Sequence, residues 1–175
     1  AQIGSFVPAT HARIGIVELM LSGCTTVADH HYVYYPGMGF DPSQALFEEA
    51  DKLGVRFMLL RGGATQMRGA MEGAPAWLKP ESLDDLLSGV EATAGRYHDT
   101  RPRAMTRVAM APTTVPISLK TAEAVETARA ARKLGLRLHS HMNETVSYFE
   151  HCASVFDCLP VEYAERVEWV GPDVW

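Results

Sequence analysis

Two histidines and a carboxylate stand close together in the stretch LGLRLHSHMNET, residues 134–145. His139 and His141 are two residues apart, and Glu144 follows three residues after the second. On a β-strand, residues i and i+2 point to the same face, so both imidazoles would face either a barrel interior or a helical layer. A neutral imidazole nitrogen binds divalent metals, and a carboxylate beside a metal-activated water can move its proton. The alternative is that His139 packs under helices and His141 is a hydrogen-bonded polar residue at a strand end.

Short apolar runs that end in polar or glycine residues alternate with longer segments of helical spacing. Asp41 and Pro42 predict where one of these helices begins, and Gly54 predicts where it ends. Thr121 is predicted to cap the last helix. The near-continuous apolar runs are typical of parallel strands that are covered on both faces. We predict strands over residues 24–31, 54–63, 107–114 and 135–144, and helices over residues 10–22, 41–54, 80–99 and 120–135.

This alternation predicts an α/β fold with right-handed crossovers, for which an open doubly wound sheet and a (β/α)8 TIM-type barrel compete. The sequence has no phosphate-cradling glycine loop, and its polar residues gather where strands end, which is where a barrel has its active site. We therefore predict a (β/α)8 barrel. Residues 1–175 would form a partial barrel domain that covers roughly strands two to five and the start of strand six, at VEWVGPDVW. The first strand and the C-terminal strands are expected outside this sequence.

The composition favours a globular protein in a reducing compartment. The formal net charge is −5 and 47% of the residues are apolar. The charge argues against a nucleic-acid partner, and no apolar run reaches the roughly 20 residues that cross a bilayer. The three cysteines, Cys24, Cys152 and Cys158, are an odd number without close pairing. We expect a cytoplasmic protein that binds neither nucleic acid nor membrane.

Four segments together resemble one enzyme family. They are ELMLSGCTTVADHHYVYYP, FEEADKLGVRFMLLRGGAT, MAPTTVPIS and LHSHMNET, and they extend over nearly the whole chain. The sequence resembles the amidohydrolase superfamily in its cytosine/guanine deaminase and chlorohydrolase branch. Within that branch it is most similar to members of the 8-oxoguanine and isoxanthopterin deaminase type.

The resemblance implies a role for two of the three residues of the opening motif. His141 would be a metal ligand on strand five, and Glu144 would be the acid that transfers a proton during catalysis. His139 has no catalytic counterpart, and we expect it to be structural. One divalent metal is implied, with zinc as the first candidate and iron as the alternative, and its remaining ligands lie outside this sequence. The resemblance also implies a homo-oligomer.

The implied activity is hydrolytic deamination of an aromatic N-heterocycle, an oxidised purine or a pterin, with release of ammonia. Such an enzyme is a hydrolase that acts on the C–N bonds of cyclic amidines. One alternative is a triazine-type chlorohydrolase or aminohydrolase of the same superfamily. The other is a non-catalytic barrel fragment, since these 175 residues contain one of the expected metal ligands.

Five further residues lie at predicted strand ends or in the loops after them and are candidates for contacting the substrate. Arg61 can bind a ring carbonyl, or it can form a salt bridge at the rim. The threonines that follow Pro112 can bind substrate, or they can belong to a structural turn. The candidate substrate-binding residues are Arg61, Gln66, Thr113, Thr114 and His30.

Overall fold

The computed structural model describes residues 6–66, 73, 75 and 78–175. Strands and helices alternate along this part of the chain, as predicted. The strands are β1 Thr26–His31, β2 Arg56–Arg61, β3 Thr106–Met110 and β4 Arg137–Leu138. The helices are α1 Phe6–Leu21, α2 Pro42–Leu53, α3 Leu83–Tyr97, α4 Val115–Ser118, α5 Thr121–Lys133, α6 Val146–Phe156 and α7 Pro160–Arg166.

The four strands form one parallel sheet in the order β1-β2-β3-β4. A further parallel bridge joins Leu138 to Val174, and the Trp175 amide donates to the Leu138 carbonyl at 3.2 Å. The chain therefore begins a fifth strand beside β4. Sequential parallel strands with intervening helices form part of a (β/α) barrel, which confirms the predicted fold class.

The ends of α2 illustrate how local sequence sets the elements. The Asp41 carboxylate accepts a hydrogen bond from the Ser43 amide at 2.9 Å, and Pro42 occupies the first helical position. Gly54 has a φ of 69°, a left-handed conformation that glycine adopts without a steric penalty. These features were predicted. The prediction for Thr121 was wrong, because Thr121 is the first residue of α5 and Lys120 precedes it as the N-cap.

The two faces of the sheet have different surroundings. Phe57, Leu59 and Val108 pack in a buried cluster with residues of α1 and α2, so they face the helical layer. Leu60 and Ala109 form a separate small cluster on the opposite face. Side chains alternate along a strand, so this second face corresponds to the interior of the barrel. The distinction decides which polar residues can share a site.

Three helices were not predicted from the sequence: α4, α6 and α7. α4 is a single turn of four residues, too short to give a periodic pattern. The strand β4 is also shorter than predicted, although the backbone amide of His139 continues its pairing with the Met110 carbonyl at 2.9 Å. Within the described ranges, no helix has both the length and the hydropathy needed to cross a membrane.

Candidate active site

The strand register places three imidazoles on the interior face. His30 is the partner of Leu60 in the pairing of β1 with β2, and neighbours in register point to the same face. Leu138 packs in the helical layer, so His139 and His141 point the other way. The sequence left both directions open for this pair, and the structure selects the barrel interior.

His141 is oriented by a backbone carbonyl. Its Nδ1 lies 2.7 Å from the carbonyl oxygen of Thr113, and its own amide donates to the same oxygen at 3.3 Å. A carbonyl only accepts, so Nδ1 carries the proton. In the neutral ring the lone pair is then on Nε2. Metal-binding histidines are commonly oriented in this way, with the second ring nitrogen donating to a carbonyl.

His30 lies directly against His141. The two rings are stacked, with centroids 4.7 Å apart and an interplanar angle of 18°. The His30 Nε2 donates to the Ala111 carbonyl at 2.7 Å, while its Nδ1 is buried and has no partner among the described residues. Burial lowers the pKa of His30 to about 4, and the nearby His141 adds to that shift. His30 is therefore neutral at pH 7, with an acceptor at Nδ1.

His139 packs beside His30 and His141, and its ring also contacts Trp175, the last residue of the chain. Its ring centroid is 4.6 Å from that of Trp175 and 5.2 Å from that of His30. Burial lowers the pKa of His139. A hydrogen bond with the Trp175 backbone acts in the opposite direction but does not cancel the effect of burial. His139 is thus packed on the interior face and not under the helices, its buried Nδ1 has no hydrogen-bond partner among the described residues, and its structural role stays a prediction.

Glu144 lies in the loop between β4 and α6. Asn143 before it has a φ of 55°, and Thr145 after it caps α6 by accepting a hydrogen bond from the Tyr148 amide. Glu144 is exposed, and no hydrogen bond or ion pair joins it to the other described residues. Its carboxylate is therefore available to a ligand at the C-terminal rim of the sheet.

A divalent metal fits this site in part. Among residues 6–66, 73, 75 and 78–175, no three His, Cys, Asp or Glu side chains form a group that could hold a metal ion. Zinc sites use three or four protein ligands. The chemistry of His141, with its proton fixed on Nδ1, supplies one of them.

Arg61 occupies a different environment from the one predicted for a substrate contact. Its guanidinium forms two hydrogen bonds with the Glu81 carboxylate, both 2.7 Å long, and lies 3.6 Å from the centre of the Tyr34 ring. One of its outer nitrogens, Nη2, also lies against Gly89 of α3, on the helical side. These contacts favour the salt-bridge alternative; a substrate role stays a prediction. Glu81 was missed because it lies 20 residues away in a loop without a recognisable pattern.

The remaining predicted residues line the loops that follow β2 and β3. The Gln66 amide donates to the Ser118 carbonyl at 3.1 Å, and its side chain is half-buried. The Thr113 carbonyl holds His141, a role in which the side chain has no part. Thr114 is buried, and its amide donates to the Ser118 hydroxyl at 3.1 Å. Thr113 therefore belongs to the site through its backbone, while substrate contacts by these three side chains stay predictions.

A cavity of about 540 Å³ opens beside β1 and is lined largely by apolar residues of α1 and of the loop after β1. Its volume is within the range of small-molecule pockets. His30 and His31 border it, but His141 and Glu144 are not among its described lining residues. The cavity by itself therefore does not bring a ligand to the candidate catalytic pair.

Comparison with protein families identifies the family to which the chain belongs. Residues 9–172 match the model of the Amidohydrolase family. The chain belongs to this family. That result agrees with the resemblance carried by the HSHMNE stretch and with the parallel sheet that presents it.

Three relatives match this chain over most of its length. An isoxanthopterin deaminase from an unknown prokaryotic organism is 57% identical over 164 residues, which cover 94% of this chain and 34% of the relative. The 8-oxoguanine deaminase of Pseudomonas aeruginosa is 33% identical, covering 93% of this chain and 36% of the relative. The hydroxydechloroatrazine ethylaminohydrolase of Pseudomonas sp. strain ADP is 36% identical, covering 93% and 33%. The chain thus spans about a third of the length of the relatives that it matches.

Solved structures show the same architecture. An amidohydrolase from an environmental sample of the Sargasso Sea superposes with a TM-score of 0.84 at 52% identity, covering 96% of this chain and 37% of that one. Atrazine chlorohydrolase from Arthrobacter aurescens TC1, in complex with zinc, superposes with a TM-score of 0.85 at 30% identity, covering 99% and 38%. The partial barrel is therefore a segment of a known fold.

Proposed function

We propose that this chain forms part of a metal-dependent hydrolytic deaminase that acts on an aromatic N-heterocycle, an oxidised purine or a pterin. The observation that carries the proposal is the arrangement of His141 and Glu144. The imidazole has its Nδ1 tied to the Thr113 carbonyl on the interior face, and the carboxylate stands free at the adjoining rim. The 57% identity to an isoxanthopterin deaminase supports the substrate class.

His141 would hold a divalent metal through Nε2, together with ligands from outside this chain. Zinc is the first candidate, since the related atrazine chlorohydrolase structure contains it. When bound, a metal of this kind lowers the pKa of a water so that it can act as a nucleophile near neutral pH.

Glu144 would supply the proton transfers. In its protonated form it donates to the ring nitrogen next to the carbon that carries the exocyclic amine, which makes that carbon more electrophilic. Addition of water forms a C–O bond and returns one water proton to the carboxylate, which passes it to the amine so that the C–N bond breaks; the new hydroxyl then gives its proton back to Glu144 as it becomes the carbonyl. Ammonia leaves, and a carbonyl replaces the amine. An exposed carboxylate without a competing ion pair suits this exchange.

A second candidate is hydrolysis of a substituted triazine. It is favoured by the 36% identity to an ethylaminohydrolase and by the similarity to atrazine chlorohydrolase. The same two residues would serve, but the leaving group would be an alkylamine or chloride. A non-catalytic fragment is the third candidate, and a folded, zinc-loaded hybrid enzyme that contains this chain should then release no product.

The test is a hybrid enzyme in which this chain replaces the matching segment of the isoxanthopterin deaminase relative. The zinc-loaded hybrid is offered isoxanthopterin, 8-oxoguanine and an N-ethyl triazine, and ammonia, ethylamine and chloride are measured. We expect ammonia from the pterin or the purine. Ethylamine or chloride as the main product would favour the second candidate, and no product from a folded, zinc-loaded hybrid would refute both.

Glu144→Gln in the same hybrid tests the proton-transfer role. Loss of general acid–base catalysis is expected to lower turnover by about 100- to 10,000-fold while zinc content stays unchanged. Glu150→Gln is the matched control, because Glu150 is an exposed glutamate on the neighbouring α6. Full activity of Glu144→Gln would remove the assigned role.

A further inference from the structure

The stacked pair of imidazoles on the interior face suggests a role for His30. We propose that His30 is a positioning residue that fixes the ring plane of His141, and so directs the Nε2 lone pair to the metal position. This inference rests on the proposed function for the meaning of that direction, but the geometry itself is independent of activity. The ring centroids are 4.7 Å apart and the planes are within 18° of parallel.

Direct metal binding by His30 does not fit this geometry. An imidazole binds zinc in the plane of its ring, at about 2.0–2.1 Å from the nitrogen. Two rings that stack almost face to face have in-plane lone pairs that run side by side and do not converge on one ion. His30 therefore acts on the site through the face of its ring.

His30 is itself held firmly, as a positioning residue must be. Its Nε2 donates to the Ala111 carbonyl at 2.7 Å, so β1 reaches across β2 to the end of β3. Tyr32 and His139 contact the ring edge-on, with centroids 5.7 Å and 5.2 Å away and interplanar angles of 85° and 82°. These contacts define both the position and the tilt of the ring.

Gly62, at the end of β2, leaves the space for this crossing. A Cβ on Gly62 would lie 2.6 Å from the Tyr32 Cβ and 3.0 Å from the Ala111 oxygen that accepts from His30. Any larger residue would push apart the groups that hold His30. Because Gly62 has no side chain, the end of β2 leaves room for the contacts that hold His30.

The stack with His30 fixes the tilt of the His141 ring, which the hydrogen bond to His141 leaves free. The bond from Nδ1 to the Thr113 carbonyl fixes one nitrogen, but the ring can still tilt about that bond. A flat partner on one face removes the tilt. Aromatic pairs prefer such offset or edge contacts because of their ring quadrupoles.

The test uses the 175-residue chain, labelled with ¹⁵N at histidine, in long-range ¹H–¹⁵N NMR spectra. His30→Phe keeps a flat ring, whereas His30→Leu fills a similar space without one. In the unmodified chain and in His30→Phe, His141 is expected as a single tautomer with its proton on Nδ1. In His30→Leu, the bond to Thr113 is expected to keep this tautomer, while the cross-peaks of the two carbon-bound ring protons of His141 broaden through exchange between ring tilts.

His98, whose ring bonds the Val108 backbone away from this cluster, is the internal control for folding. Sharp His141 ring cross-peaks in His30→Leu, or broadened ones in His30→Phe, would overturn the proposal. Should His30→Leu lose the folded His98 signals, Gly62→Ala takes its place under the same criterion. A hybrid enzyme without deaminase activity would refute the proposed function and leave this NMR result unaffected, so the two failures are distinguishable.

Discussion

Glu81→Gln should destabilise the chain strongly. The substitution keeps the shape of the side chain but removes the charge that balances the Arg61 guanidinium. The Arg61 and Glu81 side chains are 4% and 7% exposed, and two hydrogen bonds of 2.7 Å join them. Removing one partner of a buried ion pair leaves an uncompensated charge and costs about 3–5 kcal/mol.

That loss corresponds to a large shift in melting temperature. For a chain of this size, about 1 kcal/mol shifts the midpoint by roughly 2–4 °C, so Glu81→Gln should melt about 6–20 °C lower. The assay is thermal and urea unfolding of the 175-residue chain, followed by circular dichroism. The control is Glu168→Gln, which breaks the exposed ion pair with Arg129 and should change the midpoint far less.

A double variant separates the charge from the packing. Replacing both partners with apolar residues, Arg61→Met with Glu81→Leu, should recover much of the loss, because no charge then stays buried. A loss below about 1 kcal/mol for Glu81→Gln alone would refute the reasoning, since it is the value typical of solvent-exposed pairs. Arg61 would then be free enough to return as a substrate-binding candidate.

Three further outcomes are expected. Gly89→Ala should destabilise the chain because its Cβ would lie 2.7 Å from the Arg61 Nη2, whereas Gly95→Ala on the same helix meets nothing within 4 Å and should be neutral or stabilising in the same melts. Glu49→Gln should be less stable than the unmodified chain at pH 7, because hydrogen bonds from Arg13 and then Lys52 lower the Glu49 pKa to about 2 from 4.5. The folded-state pKa is the lower one, so this advantage should be lost as pH falls from about 4.5 to about 2 in unfolding measured against pH; an unchanged difference at pH 2 would contradict it. His30→Leu should weaken zinc binding by the hybrid enzyme about 10- to 100-fold in a chelator competition, with His30→Phe close to the unmodified hybrid.

The sequence was a good guide wherever local pattern decides structure. The strand β2 is a near-continuous apolar run, RFMLLR, and Asp41 and Gly54 delimit α2 because capping chemistry acts within a few residues. The alternation of strands and helices then left few topologies, and the parallel order β1-β2-β3-β4 is the simplest of them.

The contacts of the candidate site could not be predicted from local sequence pattern. The face on which His141 lies depends on the packing of Leu138, and the acceptor of its Nδ1 is a backbone carbonyl 28 residues earlier. Backbone acceptors leave no trace in residue types. His30 is 81 residues from Ala111 in the chain, and only the parallel register brings the two together.

The account depends most on where a metal binds relative to His141 and Glu144. The direct measurement is a crystal structure of the zinc-loaded hybrid enzyme, with the ion located by its anomalous scattering. We predict zinc at about 2.0–2.1 Å from the His141 Nε2, with the Glu144 carboxylate facing the ion's open position without ligating it. Zinc bound elsewhere, with the His141 Nε2 turned away from it, would contradict the central claim.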